Sequence, residues 1–181
     1  MTLYGNVSEV WEDGGRGYVT DSAMLLDWSD STAFTYMHAD TLWTEEISYL
    51  IFTLKMRDSL LVDSVMVAQN PDTIWRDTTY QQLRAFWHVR VFRNDIQAVC
   101  DSARYHGRDS LLTLFGMPIC WNEDNQMSAD QIDIYFKNET VDYMHGVGNA
   151  FAVKREGFSE FNQLAGKEML AYVKDGDVYK S

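Results

Sequence analysis

Cys100-Asp101-Ser102-Ala103-Arg104-Tyr105-His106-Gly107-Arg108-Asp109 decides the fold: a small residue, an Asp, an alternating apolar stretch and a polar turn. The phrase returns along the chain. Thr20-Asp21 runs through Ala23, Leu25 and Leu26 to the turn Asp27-Trp28-Ser29-Asp30, and Ala129-Asp130 runs through Ile132, Ile134 and Phe136 to Lys137-Asn138-Glu139. A fainter copy starts at Gly166-Lys167, passes Met169 and Ala171, and turns at Lys174-Asp175-Gly176-Asp177. A short strand-plus-turn unit that repeats hides its apolar face only by lying against its neighbours. The repeat therefore predicts an all-β protein of stacked antiparallel hairpins.

Apolar parity changes across the Asp of each phrase. Ile96, Ala98 and Cys100 are even and Ala103 and Tyr105 odd; Ala129 is odd and Ile132, Ile134 and Phe136 even. Because side chains alternate strictly along a strand, a shift at a fixed place means a bulge, or a corner where the strand passes from one sheet to the other. Repeated corners would fold one continuous sheet into a V or flattened roll with an apolar interior. Between Leu83 and Cys100 the alternation is regular, with Asn94-Asp95 as a tight hairpin turn. Pro118 cannot donate to a ladder and marks a break after the strand Leu111 to Phe115. Asn122-Glu123-Asp124-Asn125 makes the next turn, and the return strand Val141 to Met144 ends in Gly146-Val147-Gly148-Asn149-Ala150.

Residues 45–82 break the rhythm. Apolar runs from Tyr49 to Leu54 and from Leu60 to Val67 lead to Asn70-Pro71-Asp72, a loop signal. This segment reads as an insertion, either a long protruding hairpin or a partly ordered loop; high β-branched content and the absence of an obvious cap argue against a helix. The rest of residues 1–181 reads as a single roll domain. Both chain ends look like interrupted repeats, Tyr4-Gly5-Asn6-Val7 at one and Asp177-Val178-Tyr179-Lys180-Ser181 at the other, so the expectation is a piece of a longer array.

Composition agrees with sheet and narrows the function. The chain of 181 residues is long enough to bury a core without staples, its aromatic content is 14%, and it has only 2 prolines. A formal net charge of −12 argues against nucleic acid, whose phosphates are bound by Lys and Arg clusters that this chain lacks. Acidic surfaces also simply keep proteins soluble. Cys100 and Cys120 are too few for a disulfide framework and have no metal-ligand spacing. Their unequal offsets from the turn at Gly107-Arg108 argue against direct pairing, so two free buried thiols are expected. No window approaches the roughly 18 to 20 apolar residues of a membrane helix, and Met1-Thr2-Leu3-Tyr4 is no signal sequence.

Gly5-Asn6-Val7, Ala129-Asp130-Gln131-Ile132, Leu114-Phe115-Gly116-Met117-Pro118 and Gly148-Asn149-Ala150 together resemble the repeat of the OstA-like (organic solvent tolerance) lipopolysaccharide-transport proteins. Val89 to Ala171, including Asp95 to Ser102 and Ser159 to Met169, carries most of the likeness, while residues 45–82 have no counterpart in it. The resemblance implies a folded-over, twisted β-roll, jellyroll-like and V-shaped, whose two sheets form a greasy trough open at the ends. It implies a non-enzymatic protein of the Gram-negative periplasm, exported by a signal since removed and associated with outer-membrane biogenesis. Its implied partners are lipopolysaccharide, through lipid A acyl chains, and other transport proteins joined end to end by strand pairing; self-association would use the same edges. No cofactor is implied.

The candidate trough lining is the apolar parity set, Leu25, Ile96, Ala98, Leu112, Leu114, Ile132, Ile134, Phe136 and Met169. The same residues would equally fill a closed sandwich core. Asp21, Asp101 and Asp130 invite a glycosidase or calcium reading, but recurrence at one place in a repeat is what backbone capping at a corner predicts. His38, His88, His106 and His145 have neither metal spacing nor a nucleophile motif beside them. The acidic turns at Asp27 to Ser31 and Asn122 to Asn125 lack the spaced Gly and Glu of a calcium loop. Asn6-Val7-Ser8 and Asn138-Glu139-Thr140 match the glycosylation triplet, which occurs often by chance. Two other classes stay open: a structural or adhesive β-repeat module that pairs with proteins through strand edges, and a carbohydrate-active β-sandwich using a carboxylate pair.

Overall fold

The computed structural model describes residues 2–5, 7–11, 15–28, 34–54, 73–122, 124–174 and 177–180. Within them the fold is all-β. The strands are β1 (Thr2–Tyr4), β2 (Val7–Trp11), β3 (Arg16–Trp28), β4 (Phe34–Leu54), β5 (Thr73–Arg93), β6 (Gln97–His106) and β7 (Leu111–Phe115). They continue with β8 (Ile119–Asn122), β9 (Asn125–Ser128), β10 (Gln131–Lys137), β11 (Thr140–Arg155), β12 (Phe161–Lys174) and β13 (Asp177–Lys180). All pairings are antiparallel, and one path joins β1-β3-β4-β5-β6-β7-β10-β11-β12-β13.

A row of corners bends this sheet into two limbs. On alternate strands two extra residues interrupt the ladder in the left-handed conformation: Asp21-Ser22 (φ 56 and 61), Trp87-His88 (61 and 53), Gly116-Met117 (78 and 53) and Gly148-Asn149 (74 and 48). The register shifts between Thr20 and Ala23, Phe86 and Val89, and Val147 and Ala150 lie at these pairs. Each pair faces a single residue of the neighbouring strand: Asp40, Asp101, Asp130 or Lys167. An excess of residues on one strand of a pair bends and twists it sharply, so the same excess on every second strand folds the whole sheet along one line. Small side chains sit on the inner side of the bend: Ala23, Ala39, Ala129 and Ala150 are all buried. The parity change of the sequence is visible here, with Ala98 and Ala103 both buried on either side of Asp101.

The corner row separates a long limb, which holds Arg16–Thr20, Thr41–Leu54, Thr73–Phe86, β7 and β10, from a short limb, which holds Ala23–Trp28, Phe34–His38, Val89–Arg93, β8 and β9. One apolar cluster joins both, with Leu42, Leu114, Ile132 and Ile134 from the long limb and Val89, Ile96, Ala98 and Cys120 from the short one. Complete burial of such side chains contributes on the order of 1.5–3 kcal/mol each. On the outer face of the long limb, Tyr135, Tyr143 and Tyr172 form a cross-strand ladder, with ring centroids 4.3 and 5.8 Å apart.

The irregular stretch is built from the ends of β4 and β5, which pair continuously from Thr41↔Phe86 to Leu54↔Thr73. Neighbouring strands leave this hairpin at its base, where the Glu46 N–H donates to the Gly15 carbonyl at 3.2 Å and the Gly107 N–H to the Gln81 carbonyl at 2.9 Å. Tyr49, Tyr80, His106 and Arg108 pack together there, the rings of Tyr49 and Tyr80 5.5 Å apart and the Arg108 guanidinium 4.8 Å from the centre of Tyr49. Residues 55–72, with the Leu60 to Val67 run and the Asn70-Pro71-Asp72 loop signal, lie outside the described residues, as do the turn residues 29–33, Glu123 and 175–176.

Candidate functional site

The space between the limbs is neither uniformly filled nor uniformly open. At its middle the hairpin turn Arg93 to Ile96, closed by the Arg93 N–H donating to the Ile96 carbonyl at 2.8 Å, reaches from the short limb to the β10–β11 turn of the long limb. Asp95 organises the junction. Its Oδ1 accepts from Arg93 Nε at 2.9 Å, its Oδ2 accepts from the Val141 N–H at 3.1 Å, and its carbonyl accepts from Asn122 Nδ2 at 2.6 Å. Arg93 also donates to the Glu139 carbonyl and lays its guanidinium 4.7 Å above the centre of the Phe136 ring. Charge-assisted hydrogen bonds of this kind, half shielded from water, are stronger than neutral ones. The two lips of the V are thereby clasped.

A cavity lies on each side of the clasp. The larger, about 770 Å³, has a floor of Leu25, Met37 and Val91 from the short limb and Leu83, Leu112 and Phe136 from the long limb, interrupted by the buried polar side chains of Thr44 and Gln82. Its rim is polar, with Asp27, Arg93, Ser110, Asn138 and Glu139. Burial raises the Tyr105 phenol above its ordinary range, against the Arg93 charge, which lowers it, and with the Asp27 charge, which raises it. The smaller cavity, about 240 Å³, is bounded by Cys120, Met127 and Leu164 of the short limb and Met144, Met169 and Ala171 of the long limb.

The nine candidate lining residues divide accordingly. Leu25, Leu112 and Phe136 face the large cavity and Met169 the small one. Ile96, Ala98, Leu114, Ile132 and Ile134 instead fill the buried core between the cavities, at most 3% exposed. Parity alone could not separate the two groups, because both point inward; the difference is set by what the opposite limb brings against them. Arg93 and Asp95 went unmarked in the sequence, where they read as an ordinary hairpin turn.

The repeated carboxylates lie on the outer edge of the bend and line neither cavity. Asp101 accepts from Ser102 Oγ at 2.8 Å, and both oxygens of Asp130 accept from Asn149 Nδ2 at 3.2 and 3.0 Å. Gly116 and Gly148 have positive φ, and a Cβ on either would overlap the Asp it faces, Asp101 or Asp130. Asp21 does not belong to this set. Thr20-Asp21 matches the phrase in sequence, but Asp21 is itself half of a left-handed pair, and the residue at the structural position of Asp101 is Asp40, which pairs with His88 Nδ1 at 2.8 Å. His145 Nε2 lies 3.5 Å from Glu168, and His38 Nδ1 has no hydrogen-bond partner among the described residues.

Cys100 and Cys120 are both free, half-buried and buried respectively. Cys120 pairs with Ala98, two residues from Cys100. Burial pushes the Cys100 thiol up to about 12 from 9.0 and raises Cys120 further, so both are poor nucleophiles near neutrality. Among the described residues no group of His, Cys, Asp and Glu could hold a metal, and no helix is long and apolar enough to cross a membrane. No protein-family model matches the chain, and no curated protein matches it significantly.

Proposed function

We propose that this roll is a non-enzymatic lipid carrier of the OstA-like kind, taking the acyl chains of lipopolysaccharide between its limbs in the periplasm on the way to the outer membrane. The observation that carries this reading is the 770 Å³ interlimb cavity with a largely apolar floor and a polar rim. Each methylene moved from water onto such a floor contributes on the order of 0.8 kcal/mol, so an acyl chain is held by length alone. The sequence resemblance supplies the class of lipid. An edge open among the described residues supports end-to-end joining: β12 pairs with β11 along Phe161 to Gly166 but takes up β13 only from Tyr172 onward. Residues 161–168 are exposed throughout, and such an edge accepts a further strand.

A second reading, a structural module that pairs with proteins through that edge, is favoured by the filled middle at Leu114, Ile132 and Ile134. Photocrosslinking with purified lipopolysaccharide separates the two. Probes at Leu112 and Phe136 are expected to give lipid adducts, while probes at Ile134 and at exposed Phe158 give none. Adducts at none of the four would move the function to the strand-edge module.

A further inference from the structure

The small cavity is lined by sulfur. Three of the chain's 9 methionines, Met127, Met144 and Met169, border it together with the thiol of Cys120. The large cavity has one sulfur among its lining residues, that of Met37.

The ladder brings the four sulfurs together. Cys120 and Met127 are direct cross-strand partners on β8 and β9, and Met169 is the direct partner of Gly146 on β11. Directly opposed residues have their Cβ atoms about 4.5–5.5 Å apart. Met127 crosses between the limbs, its Sδ lying 3.4 Å from the position a Cβ on Gly146 would take. Because Gly146 carries no side chain, that space over β11 is left to the Met127 thioether, beside Met169. Met144, two residues before Gly146, points to the same face and is the diagonal neighbour of Met169, within reach of a long side chain. Met127 and Met144 are each 3% exposed, so the thioethers meet where water is shut out.

Asn122 borders the same cavity and is 4% exposed. Its Nδ2 donates to the Asp95 carbonyl, while its Oδ1 has no hydrogen-bond partner among the described residues. A buried acceptor left without a partner is costly, and a bound donor or cation offsets that cost. Lys154, the one cationic side chain bordering the cavity, lies 3.6 Å from Glu156 and is paired there. What the interior offers a guest is therefore a buried, uncharged set of lone pairs, mostly on sulfur.

Thioethers and thiols are soft ligands that select monovalent copper over harder divalent ions. Zinc takes thiolates, imidazoles and carboxylates, a set that one thiol among three thioethers does not supply. We infer that the small cavity is a binding site for one Cu(I) ion, held by the Sδ atoms of Met127, Met144 and Met169 and the Sγ of Cys120. The ion enters past Leu164, which is 52% exposed beside the cavity. Binding at Cys120 breaks the S–H bond, the proton leaves to solvent and the thiolate cancels the charge of the ion, with no electron transferred. This site uses the other cavity and stands apart from the carrier reading.

Anaerobic titration of the whole chain with Cu(I), in competition with a chromogenic Cu(I) chelator, tests this. One ion per chain is expected, and Zn(II) is not retained. The double variant Met127→Leu, Met169→Leu removes two sulfurs at nearly constant volume. It is expected to weaken Cu(I) binding at least about tenfold, the smaller end of what losing even an outer-shell partner costs a metal site. Met117→Leu, at an exposed corner, leaves binding unchanged. A second test needs no variant: in protein carbon-13 labelled at the methionine methyls, added Ag(I), of the same charge and softness, shifts the signals of Met127, Met144 and Met169 and spares that of Met117. Failure to hold Cu(I) against the chelator, undiminished retention by the folded double variant, Zn(II) bound as tightly as Cu(I), or methyl shifts confined to other methionines would each overturn the copper site, and none of them bears on lipid binding.

Discussion

The middle of the roll and its β12 end are built from the same bent hairpins yet end in opposite states. In the middle, Leu114, Ile132 and Ile134 meet side chains of the facing limb and lose all contact with water. Along β12, Leu164 faces the small cavity inside the V yet keeps about half its surface exposed, 52%. The difference is position in the sheet: among the described residues β12 has β11 on one side at Leu164 and no strand on the other. A repeat that specifies only its own corner leaves closure to its neighbours, so a stack of such units is firm inside and open at its edges.

The largest effect that tests this contrast is truncation of a middle residue. Ile134→Ala is expected to cost about 2–5 kcal/mol in urea unfolding, through lost transfer energy and a cavity the two limbs cannot close. Leu164→Ala is expected to stay within about 0.5 kcal/mol. Equal costs would mean that the β12 end is covered in solution, and sedimentation across a concentration series would then reveal self-association through that edge.

Next in size is the corner row. Gly116 has φ 78 and no room for a Cβ against Asp101, whereas Gly157, in the exposed turn before β12, has nothing within 4 Å. Gly116→Ala is expected to cost about 1–3 kcal/mol and Gly157→Ala at most a few tenths. A tolerated Gly116→Ala would show that the bend does not need its left-handed pair, and would sink the account of how one sheet becomes two limbs.

The thiols report on the closed middle with a smaller effect at accessible pH. The folded protein holds Cys100 protonated up to about 12, while the unfolded chain ionises near 9.0. Above pH 9 the unfolded state therefore binds fewer protons than the folded one, and stability falls as pH rises from 9 toward 12. Cys100→Ala is expected to lessen that alkaline decline, leaving the part that Cys120 contributes. In native protein at pH 8 both thiols should resist alkylation that goes to completion in urea.

The bend was readable in the sequence because it leaves a periodic mark: a small residue, an Asp and a change of parity. Its exact phase was not. Thr20-Asp21 and Cys100-Asp101 look alike as letters, yet one sits in the left-handed pair and the other opposite it, since Asp tolerates both environments. The phrase Ala39-Asp40 was the true counterpart. The inward set was also readable, but which members fill the core and which border a cavity depends on contacts between strands far apart in sequence. The clasp shows this most clearly, for Asp95 bonds to the N–H of Val141 across 46 residues that carry no local signal of the meeting.

The smallest effect concerns the carboxylates that first drew attention. Asp130 accepts two bonds from Asn149 and its own N–H donates to the Gly148 carbonyl at 2.8 Å, so side chain and backbone both tie the corner. The side-chain part is exposed, and Asp130→Ala is expected to cost only about 0.5–1 kcal/mol. The next corner puts Lys167 at the same position facing Gly148-Asn149 from the other side, and a row that accepts either sign does not use charge to make the bend. Asp130→Asn should then recover most of the loss by presenting one oxygen to Asn149, while Lys167→Ala changes nothing measurable. If Asp130→Asn were as damaging as Asp130→Ala, the charge itself would matter at this corner, and the outer edge of the bend would have to be read as more than a structural seam.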